Sequence, residues 1–239
     1  MDAKILQSIF DPTLLDALPD EWGVVIHHPN PQSIGYATTL TPAVIQQAAE
    51  QGIQLLVTHH NAWEFMCEER TACHELLARY HISHIWCHAP LDRVDFGTAA
   101  ALLNLTGCKM VAKIVEDDGR VGELPEAKPL AAIRALLDEK LAESPCRVHD
   151  AGRPIRRIGC VPGAGANTGY LAEALAHGAD LYLTGETSLY LLEYASFHHV
   201  SVLIYSHNYT EIIGTRNLAG KVAAHLGIQT ISRLDEPHF

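Results

Sequence analysis

A chain of 239 residues, 48% of them hydrophobic, is long enough to bury a sizeable core as one compact domain or two intimately packed lobes. Its formal charge of -11 argues against a nucleic-acid backbone or an anionic membrane as partner, because both select a basic face. Fifteen histidines, including the adjacent pairs His27-His28, His59-His60 and His198-His199, point to metal chemistry instead.

At the N-terminus, Met1-Asp2-Ala3-Lys4 has no basic region leading into an apolar one, and no later apolar run reaches the span of a membrane, so a cytoplasmic protein is expected. Residues 4–18 read as one amphipathic helix. Trp22 to Pro29 reads as a strand ending in His27-His28; the loop Asn30-Pro31-Gln32-Ser33 favours a solvated pair, although spacing alone leaves it a rival to the next one. Thr41 to Gly52 is a helix with Thr41 as N-cap, Pro42 at its first position and Gly52 as its stop. Leu55 to Thr58 is then a buried strand that delivers His59-His60 where it runs out into a loop, the place where open α/β sheets bind ligands. Adjacent side chains on an extended backbone point to opposite sides, which suits two metal ions side by side, or one ligand with one supporting residue.

A helix from Thr71 to Tyr80 and a strand from Ile82 to His88 follow. Asp92, just beyond, reads either as a hard oxygen ligand or as the cap of a helix spanning about Gly97 to Leu105. Met110 to Pro125 is a hairpin turning at Asp117-Asp118-Gly119, and Lys128 to Glu143 an amphipathic helix. The dense basic run Arg153 to Arg157 reads first as a solvated edge and second as a contact for an acidic ligand. Gly163 to Gly169 does not match G-x-G-x-x-G, so it is a strand-to-helix turn first and a phosphate cradle second. The six cysteines form no C-x-x-C and are expected as reduced thiols.

Ala48-x-x-x-Gly52-x-x-Leu55-x-x-Thr58 recurs as Ala174-x-x-x-Gly178-x-x-Leu181-x-x-Thr184. Taken as a repeat, it implies two similar α/β lobes, with Gly185-Glu186 in the place of His59-His60 and Glu186 facing the same cleft. Val202 to His207 is a further strand, and a helix running on to about Leu226 sets His207 and Glu211 four apart on one face.

Leu55 to Trp63 (LLVTHHNAW), Cys87 to Asp92 (CHAPLD), Gly178 to Glu186 (GADLYLTGE) and Ser206 to Gly214 (SHNYTEIIG) resemble, in order and spacing, the four signature blocks of the NIF-three-like family, whose members are also called type-two GTP cyclohydrolase homologs. The resemblance implies two similar α/β lobes with central mixed sheets: residues 1–108 with 206–239 as lobe one, carrying most metal ligands, 109–205 as lobe two, and no inserted domain. It implies two divalent metal ions per chain, zinc, iron or manganese, with His59, His60, Asp92, His207 and Glu211 as ligands and Glu211 or Asp92 bridging. His88 and Glu186 are the candidate catalytic residues, His88 as proton carrier. A ring-shaped homohexamer with its sites facing an inner cavity is also implied. Two departures from the pattern stand out. Glu21 to Ile26 matches the family's early tryptophan block only loosely, and Thr187 to Tyr190 lacks the histidine usual there. Two function classes follow: a hydrolase acting on a small nucleotide or otherwise phosphorylated substrate through a metal-activated water, or a non-catalytic metal-binding or scaffold protein. His88 beside the ligands favours the enzyme.

Overall fold

The computed structural model describes residues 4–63 and 65–237; Met1 to Ala3, on which part of the leader argument rests, lie outside the described residues. The expected first helix is two, α1 (Lys4–Ile9) and α2 (Pro12–Ala17), because Pro12 has no amide to continue α1 and Asp11 caps α2 by accepting from the Thr13 amide at 2.9 Å. Strand β1 (Trp22–Val25) stops short of His27-His28, whose backbone amides donate instead to Ser83 Oγ at 3.0 and 2.8 Å. Then come β2 (Ile34–Thr39), α3 (Pro42–Glu50), β3 (Leu55–His60), α4 (Cys67–Tyr80), β4 (Ser83–Cys87) and the short α5 (Ala89–Arg93). In α3 the capping reads as expected: Thr41 Oγ1 accepts from the Val44 amide, and Gly52 takes a positive φ of 67° just past the end.

Helix α6 (Thr98–Leu105) leads into the hairpin of β5 (Lys109–Ile114) and β6 (Gly119–Lys128), paired antiparallel with Lys113 opposite Arg120. Helix α7 (Leu130–Leu141) buries Leu130, Ile133, Leu137 and Leu141, a 3–4 spacing that makes one apolar face. Next are β7 (Arg147–His149), β8 (Ile155–Val161), α8 (Thr168–Ala176), β9 (Leu181–Thr184), α9 (Leu189–Phe197), β10 (Ser201–Ile204), α10 (His207–Leu226) and β11 (Ile231–Arg233).

The described residues up to Leu91, with Thr215–Pro237, form one compact unit, and Asp92–Gly214 the other. Leu102 and Leu103 of α6 are buried in one core with Leu124, Ile158 and Leu181, and Ile213 packs on the same core, so the second unit takes in α6 and the start of α10. The first unit's sheet runs β1-β4-β3-β2-β11, with β1 antiparallel and the rest parallel. The second runs β5-β6-β8-β9-β10-β7, with β8, β9 and β10 parallel and the others antiparallel. Alternation along β9 sends Leu181 and Leu183 into the core beneath α6 and α7, and Tyr182 into the core beneath α8 and α9.

The repeat seen in the sequence is a repeat of topology. β2-α3-β3-α4-β4 and β8-α8-β9-α9-β10 are each three consecutive parallel strands joined by two helices. Each set carries an antiparallel edge strand, β1 or β7, beside its third strand, contributed by the chain just before the set begins. Among the described residues no helix is long and apolar enough to cross a membrane.

Candidate metal centre

In the first unit the chemistry gathers where β3 and β4 end. His59 and His60 are the last two residues of β3 and are buried, while His88 directly follows β4. One ligand nitrogen from each of the three imidazoles can be chosen such that all lie within 4.8 Å of one another. The expectation that His59 and His60 diverge is corrected here: their ring centroids are 4.5 Å apart, and each ring also meets His88, at 4.9 and 5.3 Å. Strand alternation fixes where a Cβ starts, but an imidazole is long enough to swing back at a strand end.

Each ring has an orienting partner. His59 Nδ1 is 2.9 Å from the Cys87 carbonyl, which can only accept, so Nδ1 carries the proton and Nε2 presents the lone pair a metal needs. His60 Nδ1 lies 3.0 Å from Thr39 Oγ1, and Glu236 in turn accepts from the amides of Thr38 and Thr39. His88 Nδ1 lies 2.5 Å from Glu21 Oε2. Glu21 and Thr39 have no mark in the sequence that assigns them these roles; Glu21 stands in the block that matches the family loosely.

His60 and His88 line a cleft of about 710 Å³ together with Glu21, Trp22, Trp63, Trp86 and Arg70, so all three tryptophans of the chain lie in its wall. Trp86 lies flat against the backbone of Gly23, where a Cβ would come within 2.1 Å of the indole. Only glycine leaves that room.

In the second unit, His207 opens α10 and Glu211 sits one turn on, with His207 Nε2 3.3 Å from Glu211 Oε2. Glu186, just after β9, places Oε1 2.7 Å from His207 Nδ1 and so orients that ring. Burial works against charge on His207, but Glu211 and Glu186 on either side more than offset it and push its pKa up to about 10; the same contact holds Glu186 below its ordinary value. The pair is an environment made for a cation. Asp92, near the end of α5, accepts a hydrogen bond from Thr98 Oγ1, the first residue of α6, while the N-cap position itself is Gly97.

The turn Gly163 to Gly169 serves this group. Gly163 adopts φ 57°, and a Cβ there would lie 2.0 Å from Glu211 Oε1 and 2.8 Å from His207 Nε2, so the bare backbone makes the room in which both donors stand. The basic run is a paired edge: Arg156 and Arg157 bind Glu123, and Arg153 binds Asp180. Imidazole and carboxylate donors of this kind, with His59 held in the ligating tautomer and a glycine clearing space beside Glu211, fit a divalent first-row metal.

The sequence profile of the Duf34/NIF3 (NGG1p interacting factor 3) family matches residues 3–235. A protein of Neisseria meningitidis serogroup B named GTP cyclohydrolase 1 type 2 homolog is 30% identical over 214 residues, 84% of this chain and 82% of that one. One of the same name from Pyrococcus abyssi is 34% identical over 156 residues, 63% of this chain and 61% of its own. Among solved structures, protein ybgI, of unknown function, superposes with a TM-score of 0.85 at 22% identity over 99% of both chains. Reduced HcgD from Methanocaldococcus jannaschii gives 0.80 at 22% identity, over 99% of this chain and 98% of that one. With one profile covering almost its whole length and one two-lobed α/β fold shared with these structures, the chain belongs to the DUF34/NIF3 family.

Proposed function

We propose that this protein is a hydrolase dependent on two divalent metal ions, zinc, iron or manganese, acting on a small nucleotide or other phosphorylated compound. His59, His60, Asp92, His207 and Glu211 are the ligands. The observation that carries the reading is the meeting of three imidazoles within 4.8 Å, two of them in the wall of a cleft of a size for a small molecule. When bound, such ions activate water as a nucleophile near neutral pH and stabilise negative charge on the attacked group.

The rest is the work of side chains. The Cys87 carbonyl and Glu186 hold His59 and His207 in register for ligation. Glu21 holds Nδ1 of His88, which leaves Nε2 to move a proton to or from the reacting group. Trp22, Trp63 and Trp86 offer flat apolar walls to a ring, and Arg70 adds a positive charge to the lining for a phosphate. The assembly follows the family as a homohexamer.

A turnover screen of metal-loaded protein against nucleotides and simple phosphoesters tests the reading. Hydrolysis that disappears on chelation and returns with metal is the expected result. Full metal content with no turnover on any of them would leave the protein as a metal-binding, non-catalytic member of its family.

A further inference from the structure

Arg120 is the largest fully buried side chain described in the chain. It lies on β6 in phase with Gly122 and Leu124, the face that packs on α6, where a Cβ on Gly122 would come within 2.8 Å of Leu103. Alternation therefore calls for an apolar residue, and a guanidinium there is strongly disfavoured unless its donors are used.

The donors of both its Nη atoms go to backbone carbonyls of two separate segments, while Nε has no hydrogen-bond partner among the described residues. Nη1 donates to Asp117 at 2.5 Å and Gly119 at 2.9 Å, in the tip of the β5–β6 hairpin. Nη2 donates to Arg93 at 2.8 Å, with longer approaches to Asp92 at 3.4 Å and Val94 at 3.5 Å. Asp92 and Arg93 are the last residues of α5, where carbonyls lack a helical partner, and Val94 follows them, its carbonyl also accepting from the Gly97 amide at 3.1 Å. The two segments are tied twice more, by Arg93 Nε to Asp118 Oδ1 at 2.8 Å and by Lys113 Nζ to the Arg93 carbonyl at 3.4 Å.

The hairpin tip is itself shaped for the task. Val115, Glu116 and Asp117 take φ of 55°, 51° and 77°, a run of left-handed residues that persists only where neighbours hold it, and the Glu173 carboxylate accepts from the Val115 amide at 3.0 Å. On the other side, Thr98 Oγ1 turns the Asp92 carboxylate. The guanidinium fixes the backbone of Asp92 and the threonine fixes its side chain.

We propose that Arg120 is a positioning residue for the metal centre: it clamps the hairpin tip to the backbone of Asp92–Val94 and so sets where the Asp92 carboxylate stands. This rests on the reading of Asp92 as a metal ligand. Only a planar fork with donors on both arms spans the two segments; a methionine spans neither and a lysine reaches one.

The test is a double-mutant cycle on the affinity for cobalt(II), read by competition with a chromophoric chelator and by the visible spectrum of the bound ion, on wild type, Arg120→Met, Asp92→Asn and the double variant. Metal-free melting curves of all four separate loss of fold from loss of binding. Arg120→Met is expected to weaken cobalt binding about 10- to 100-fold and alter the spectrum, as loss of an outer partner does. In the Asp92→Asn background the same change should alter affinity by no more than about twofold, because the group it acts through is gone. An equal loss in both backgrounds overturns the proposal, as does unchanged affinity in Arg120→Met beside a loss in Asp92→Asn. Unchanged affinity in Asp92→Asn overturns the ligand reading and the proposal with it. If Arg120→Met does not fold, Arg120→Lys, which keeps the buried charge, carries the same cycle with the same outcomes.

Discussion

His59 and His88 stand 4.9 Å apart by ring centroids, one held by a carbonyl and the other by a carboxylate. On the proposed function His59 is a ligand and His88 a proton carrier, and substitution separates the two roles. His59→Ala should lose metal and activity together. His88→Gln should keep its metal and lose about 10²- to 10⁴-fold in turnover, the range for a removed general acid or base. Metal content by elemental analysis and rate, taken on the same preparations, decide it; metal loss in His88→Gln would make His88 a ligand. A second histidine acts on stability. His84 is buried in β4 with Nε2 2.8 Å from Thr58 Oγ1; burial, with a smaller push from His74, lowers its pKa from 6.5 to about 3. The folded protein keeps it neutral while the unfolded chain takes up a proton near 6.5. Its contribution is thus complete above pH 6.5 and is lost as pH falls toward 3, at up to about 1.4 kcal/mol per pH unit. Urea unfolding at pH 7.5 and 5.5 should show that loss, and His84→Gln should shrink it; an equal slope in the variant would assign it to other groups. At this scale His207 and Glu211 were legible because four residues on a helix bring two side chains together. Glu21 and Thr39 were not, since they lie 67 and 21 residues from the histidines they hold and local spacing carries no trace of such contacts.

Elements were readable where the punctuation is chemical. Thr41-Pro42 and Gly52 bound α3, and the Asp117-Asp118-Gly119 signal gave the β5–β6 hairpin. Strand β2, Ile-Gly-Tyr-Ala-Thr-Thr, escapes because it is almost wholly buried and so shows no alternation; its Gly35 is a close fit, where an added Cβ would lie 3.1 Å from Ile53. Helix α4 begins at Cys67, earlier than the expected start at Thr71, and of its described residues only Cys73 and Leu77 are buried, too few to mark a face in the sequence. The turn after β8 offers a test. An alanine at position 163 would have to hold φ 57° and press its methyl on Glu211. Gly163→Ala should therefore cost about 1–3 kcal/mol of stability and lower metal content as well. A shifted urea midpoint with full metal would show that the turn supports the fold without serving the donors, contrary to this account.

Both halves of the molecule present their reactive side chains at matching places, after the second and third strands of a parallel set: His59-His60 and His88 in one, Glu186 and His207 in the other. The recurring Ala-Gly-Leu-Thr spacing made this legible, because the helix stop and the strand end repeat with it; the edge strands β1 and β7 had no such signature. The exposed apolar residues Leu189, Tyr190 and Phe197 on α9, at 65%, 71% and 77% exposure, are what an assembling chain would cover. Light scattering at micromolar concentration should give six chain masses, and Phe197→Asp should lower the value. A single-chain mass would remove the hexamer.

Trp22, Trp63 and Trp86 all belong to the first unit and all line its cleft, while Asp92–Gly214 contains no tryptophan. Indole fluorescence from this protein is consequently a local signal. It will answer to whatever enters the cleft without any label, and in a denaturant series it will follow the first unit alone while circular dichroism follows both. Where the two curves coincide the halves unfold as one; where they part, the spectrum itself says which half went first.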